Sequence, residues 1–246
     1  MKTQYSLLLL LLLLGFTQCK SPAAKPDRIS DEALMDTLQR RTFNYFWEGA
    51  EPNSGLACER IHIDGIYPED DQNVVTTGGS GFGIMAVLAG IDRGYVTREE
   101  GLARMERIVS FLETADRFHG AYPHWWFGDT GQVKPFGQKD NGGDLVETAF
   151  LIQGLLAVHQ YYINGSPAEQ ALAGRIDTLW REVDWNFYRR NDQNVLYWHW
   201  SPEYGWEMNF PVHGYNISES FCDQKNRKMI SSLQNERNLI LITPRK

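Results

Sequence analysis

The chain has 246 residues, with 24 Lys+Arg against 31 Asp+Glu and a formal net charge of -7. That length suits one fair-sized domain or two small ones. The acidic balance, with no basic run interleaved with aromatics, argues against nucleic acid as a partner. With 8 Trp, 11 Tyr and 12 Phe bunched in particular segments, the rings either fill a core or lie open as flat surfaces for the apolar C–H faces of sugar rings.

Met1-Lys2 precedes a leucine run from Leu7 to Leu14. One positive charge before a short apolar stretch reads as a signal peptide over residues 1–19, too short to span a bilayer comfortably. Cys19, just past the run, suggests a lipoprotein acylated on that cysteine, although Gln18 departs from the small residue usual before the cleaved bond. Residues 20–29 read as a tether. Cys58 and Cys222 remain; they make no disulfide framework, and no Cys/His spacing points to zinc.

In chain order, Ser30 opens a helix, with Asp31 and Glu32 in its first turn and Ile29 and Leu34 placed as a hydrophobic staple. Leu34, Leu38 and Phe46 form its expected apolar stripe and Gly49 its stop. Residues 50–79 read as irregular. From Gly81 to about Gly94 the chain is apolar on nearly all faces, a helix buried on most sides despite its glycines. Thr97-Arg-Glu-Glu100 is a capping box opening an amphipathic helix with Leu102, Met105, Ile108, Val109 and Leu112 on one stripe. Leu145 to about Tyr162 is again apolar all round, and Ser166-Pro167-Ala168-Glu169 starts another amphipathic helix. A helix apolar on most faces followed by an amphipathic one, occurring twice, fits inner and outer helices of an α/α toroid; a plain helical bundle has the same pattern.

Long loops then gather Tyr122-Pro-His-Trp-Trp126 and Leu196-Tyr-Trp-His-Trp-Ser-Pro-Glu-Tyr-Gly-Trp206 on one side, which favours a binding face. Asn141-Gly-Gly-Asp-Leu-Val-Glu147 leads into the second apolar helix. Asp144 as N-cap with Glu147 at N3 is a capping-box variant. Equally, residues three apart share a helix face and can line one site, and Gly142-Gly143 allows a close approach. Glycosidic hydrolysis needs two carboxyl groups flanking the bond, about 6.5–9.5 Å apart for inversion and about 5–5.5 Å for retention, so a partner from another segment is expected. His124, His199 and His213, with Glu203 and Glu207, lie in loops where they can bond sugar hydroxyls or anchor their own loops. No nucleophile elbow, P-loop or dinucleotide fingerprint is present.

Five stretches carry a resemblance: Phe43-Asn-Tyr-Phe-Trp-Glu48, Thr76-Thr-Gly-Gly-Ser-Gly-Phe-Gly83, Tyr122-Pro-His-Trp-Trp126, Gly142-Gly-Asp-Leu-Val-Glu-Thr148, and Trp198-His-Trp-Ser-Pro202 continuing to His213-Gly-Tyr-Asn216. Together they resemble the bacterial glucoamylase-like (glycoamylase) family, which includes endo-β-1,2-glucanases, over about residues 30–216. The resemblance implies an all-α fold, an (α/α)6 toroid of which this chain supplies about half the helices. It implies no cofactor or metal, an oligo- or polysaccharide glucan as ligand, and Asp144 and Glu147 among the active-site carboxylates. Trp125, Trp126, Trp198, Trp200 and Trp206, with His124, Glu203 and His213, are then the expected sugar-binding set. The chain is expected to be exported, in the periplasm or anchored to the outer membrane by lipid on Cys19 alone, and monomeric.

Two departures qualify this. Where the family continues the His-Gly-Tyr-Asn motif with an active-site glutamate, this chain has Ile217. Residues 217–246 lose the aromatic, Gly-punctuated character and read as a frame-shifted or disordered tail. The expectation is a glucan hydrolase of β-1,2-glucan type by lineage, truncated and inactive as a single chain, or a surface glycan-binding lipoprotein that has lost the chemistry.

Overall fold

The computed structural model describes residues 28–207. Cys19, His213, Ile217 and the segments 1–19 and 217–246 lie outside the described residues. The chain divides between Gln39 and Arg40, inside helix α1 (Asp31–Trp47). In the first unit the Ser30 hydroxyl accepts the Ala33 N–H at 3.2 Å, as an N-cap does. The expected stripe is not realised there, since Leu34 and Leu38 are exposed. The buried side chain of α1 is Phe43, in the second unit, stacked on Trp47 and tilted against Tyr95.

In that second unit four helices follow: α2 (Thr77–Asp92), α3 (Arg98–Thr114), α4 (Leu145–Tyr162) and α5 (Pro167–Arg181). Both capping boxes form. Thr97 and Glu100 exchange bonds at the start of α3, and Ser166 and Glu169 do so at α5 with Pro167 behind the cap. These ends are legible in advance because the boxes are local. By contrast, α2 starts four residues before the expected Gly81, through Thr77-Gly-Gly-Ser, a run that reads as loop on propensity.

Packing explains those glycines. α2 lies against α4, α4 against α5, α5 against α3, and α3 against α2, so the two uniformly apolar helices meet each other while each amphipathic helix turns one stripe inward. A Cβ on Gly81 would sit 2.2 Å from the Phe150 carbonyl oxygen, and one on Gly154 would sit 2.5 Å from that of Gly81. Contact between the α2 and α4 backbones therefore requires hydrogen at both positions, which outweighs the helix penalty of about 1 kcal/mol per glycine. Around this contact the core runs through Ile84, Val87, Met105, Leu112, Leu151, Leu155, Leu172 and Ile176.

Two small antiparallel sheets sit at the helix N-termini. β1 (Val74–Thr76) pairs with β2 (Trp125–Phe127), and β2 with β3 (Val133–Lys134). Because β1 runs directly into α2, the register Thr76↔Trp125 places His124 beside the first turn of that helix. The Thr77 N–H donates to the His124 carbonyl at 3.1 Å. β4 (Gly143–Asp144) pairs with β5 (His199–Trp200) in the register Asp144↔His199. The Trp-rich loop is thereby fastened to the start of α4, where the Leu145 N–H donates to the Trp198 carbonyl at 2.7 Å.

Candidate active site

The N-termini of α2 and α4 converge, and the segment Tyr122–His124 joins them. The Asp144 N–H donates to the Tyr122 carbonyl at 2.8 Å, and the Thr148 hydroxyl accepts the Tyr122 N–H at 2.8 Å. Aligned backbone N–H groups at two helix starts favour negative charge between them. The sequence supplies that charge with Asp140, Asp144 and Glu147.

Asp144 is fully buried, and both its oxygens are engaged. Oδ1 accepts the N–H groups of Val146 and Glu147 at 2.9 Å each, capping α4. Oδ2 accepts the indole N–H of Trp198 at 2.7 Å and stands 3.4 Å from Nδ1 of His124. Asp144 therefore acts as the N-cap of α4. Neither of its oxygens faces open space, so it bears on the cluster through the groups it holds.

Glu147 does not close the capping box. Instead of turning back to the Asp144 backbone, its carboxylate crosses to α2, where Oε2 accepts the Gly78 N–H at 2.7 Å. The half-buried carboxyl is pushed above the ordinary glutamate range, first by burial and then by the charge of Asp144. The Gly78 N–H and His124 oppose the rise, and Asp140 adds to it. A half-buried carboxyl whose pKa is raised has the character that a general acid requires.

Asp140 is a functional candidate that does not stand out in the sequence, and His199, one of the loop histidines able to bond sugar hydroxyls, joins it here. Asp140 is buried with one oxygen 3.2 Å from Nε2 of His199 and the other 3.7 Å from Nδ1 of His124. His199 is buried too, and its Nε2 also receives the Gly142 N–H at 3.3 Å. That nitrogen faces one donor and one acceptor, so its protonation decides which bond it makes. Burial resists charging of His124, but Asp140, Asp144 and Glu147 together push it up to about 10. Burial would raise Asp140; the two imidazoles outweigh it and hold that carboxyl down at about 2. The signal for both residues lay in Asp140-Asn-Gly-Gly-Asp144 and Trp198-His199-Trp200, but only the β4–β5 pairing joins them.

His124, Asp140 and Asp144 each offer a donor atom within 4.8 Å of the others. Asp144 already accepts three N–H groups, and His124 turns Nδ1 toward two carboxylates at ion-pair distance. The donor set therefore fits an ion-pair network better than a metal cage.

The expected sugar-binding residues divide. Trp125, His124 and Trp198 lie at the acid cluster, all half-buried. Trp126 does not belong to the set: it is fully buried against Phe111 and Tyr122, with its indole N–H on the Asp116 carbonyl. Trp200 packs edge-on to His119 and Phe187, and Trp206 stacks on Phe187, both half-buried beside the core. Glu203 is exposed in its loop, where its N–H donates to the Ser201 hydroxyl at 3.2 Å. Gly142 and Gly143 do allow a close approach, but the groups that come close are the Trp200 carbonyl and the Tyr188 hydroxyl.

No family model matches the sequence. Over 190 residues the chain is 50% identical to the exo β-1,2-glucooligosaccharide sophorohydrolase (non-reducing end) of Parabacteroides distasonis, covering 76% of this chain and 25% of that protein. Among solved structures, a Bacteroides caccae protein described as a glucoamylase is 83% identical with a TM-score of 0.75, covering 76% of this chain and 45% of that one. The endo-β-1,2-glucanase of Chitinophaga pinensis, solved with sophorotriose and glucose, is 64% identical with a TM-score of 0.75, covering 77% of this chain and 45% of that one. The sequence given thus spans about a quarter of the curated relative and under half of these solved chains. The fold expectation, a mostly helical part of a glucoamylase-like α/α toroid, agrees with these neighbours.

Proposed function

We propose that this chain, homologous to part of the glucoamylase-like β-1,2-glucanases, carries the glucan-binding face and one acid carboxyl of a β-1,2-glucan hydrolase site. The observation that carries this reading is Glu147. Its half-buried carboxyl is raised above its usual range and held by the Gly78 N–H where two helix N-termini meet. It would protonate the leaving glycosidic oxygen, a step favoured by a carboxyl whose pKa is raised. Asp144 fixes the first turn of α4 and the Trp198 indole beside it. Asp140 and His124 supply the fixed charges around it. Trp125 and Trp198 present apolar ring surface to the sugar.

A second reading is binding without turnover, favoured by Ile217 standing where the resembling family has a further active-site glutamate. An isoleucine cannot activate water on the far side of the sugar, the part an opposed carboxylate plays. Incubation with linear β-1,2-glucan, following both binding and release of reducing ends, separates the two. Turnover abolished by Glu147→Gln supports hydrolysis, binding without release supports the second reading, and no binding refutes both. From the leader and Cys19 we also propose export and lipid anchoring, tested by metabolic labelling with a fatty acid.

A further inference from the structure

The aromatic ring most open at the acid cluster is not one of the tryptophans. Trp126 belongs to the core, Trp198 spends its N–H on Asp144, and Trp125, Trp200 and Trp206 are half-buried. Phe136 is 52% exposed. One of its faces lies flat on the His124 ring, with centroids 4.3 Å apart and planes 17° apart. It also meets the Trp125 ring at a steep angle, with centroids 4.8 Å apart and planes 62° apart. The ring therefore forms the outer layer over the very imidazole that faces Asp140 and Asp144.

Its position is fixed. The Phe136 N–H donates to the Asp140 carbonyl at 2.9 Å, and the Asp140 N–H donates to the Gly137 carbonyl at 3.0 Å. One tight turn thus directs the buried carboxylate inward and the phenyl ring outward. The same turn is tied to the Trp-rich loop, through the Gln138 amide on the Tyr204 hydroxyl at 3.3 Å and Lys139 on Glu207 at 2.8 Å. An exposed apolar ring on a loop held at both sides is ordered before any ligand arrives, which lowers the entropy cost of binding. Phe82 is equally exposed, but its ring contact is with Phe150 and not with a group of the Asp140–His124 ion-pair network.

We propose that Phe136 is a sugar-stacking residue of this site, its exposed ring face carrying a glucose unit of the chain whose neighbouring linkage lies at the Asp140–Asp144–Glu147 cluster. The assignment rests on the glucan reading above.

Isothermal titration with a linear β-1,2-gluco-oligosaccharide tests it on the wild-type chain and on Phe136→Ala, Phe136→Leu and Phe136→Trp, each checked for folding by near-UV circular dichroism. The expected result is about tenfold weaker binding for the alanine and leucine variants, with the tryptophan variant close to wild type. Wild-type affinity in Phe136→Leu assigns the ring a packing role on His124 and overturns the stacking proposal while leaving the glucan reading intact. Unchanged affinity in all variants overturns it in the same way. A wild-type chain that binds neither β-1,2-, β-1,3- nor α-1,4-linked gluco-oligosaccharides overturns the proposal and the glucan reading together.

Discussion

Glu147 Oε2 accepts the backbone N–H of Gly78 at 2.7 Å, across the gap between two helix N-termini 69 residues apart in sequence. A Cβ at position 78 would lie 2.5 Å from that oxygen. Because the displaced atom ends a flexible side chain, Gly78→Ala is expected to leave the fold nearly as stable as before while expelling the carboxylate from its seat. Burial is the largest cause of the raised Glu147 pKa and outweighs the opposing Gly78 N–H, so release of the carboxyl should move its titration downward, read by carboxyl NMR. An unchanged titration would show that the bond does not hold the carboxyl.

Gly81→Ala tests the opposite situation. There the added methyl meets backbone, 2.2 Å from the Phe150 carbonyl oxygen, and α2 and α4 must separate. Overpacking of this kind costs on the order of 3 kcal/mol. Urea denaturation should show a lowered midpoint with an unchanged slope, whereas a neutral substitution would mean that the helices are not in backbone contact.

Stability should depend on pH through His124. Its imidazole titrates at 6.5 in the unfolded chain and is pushed up to about 10 here, against the effect of burial, by Asp140, Asp144 and Glu147. Below the unfolded value both states carry the proton and the stabilisation is present in full. As pH rises from 6.5 through about 10 the folded chain holds a proton that the unfolded chain has released, and stability falls. Denaturation midpoints between pH 6 and 10 should decline in the wild type and flatten in His124→Gln. Asp140 belongs to the same pair and adds the acid side: held at about 2, it loses its contribution as pH drops below the usual 3.8.

Trp126 and Trp198 should part company under mutation. Trp126→Ala empties a fully buried site and is expected to cost about 3–5 kcal/mol. Trp198→Phe removes the N–H that meets Asp144 at 2.7 Å, together with part of a ring that is only half-buried. It should cost about 1–3 kcal/mol and lower glucan affinity in a chain that still folds. Equal effects on folding and binding in both variants would deny the division between core and site.

The sequence carries some of this and conceals the rest, for physical reasons. Helix starts at Thr97 and Ser166 are written in four consecutive residues, so capping chemistry alone finds them. The start of α2 is hidden because Gly78, Gly79 and Gly81 weaken helix locally, and two of them, Gly78 and Gly81, are required only by Glu147 and by the α4 backbone. The Asp144 cap is local and was visible; the turn of Glu147 away from it depends on a helix far off in the chain. Asp140, His199 and Phe136 come together through the β4–β5 register and the 135–140 turn, neither of which has a local signature. Indole count misled at Trp126, since composition does not tell a core ring from an exposed one.

The central claim is that Glu147, seated on Gly78, is the acid carboxyl of a glucan site. Carboxyl NMR of Glu147, titrated with and without a linear β-1,2-gluco-oligosaccharide, tests it most directly. The account predicts a free-state titration above the ordinary glutamate range and a resonance that shifts when the oligosaccharide is added. A titration in the ordinary range together with a resonance indifferent to saturating oligosaccharide would contradict it.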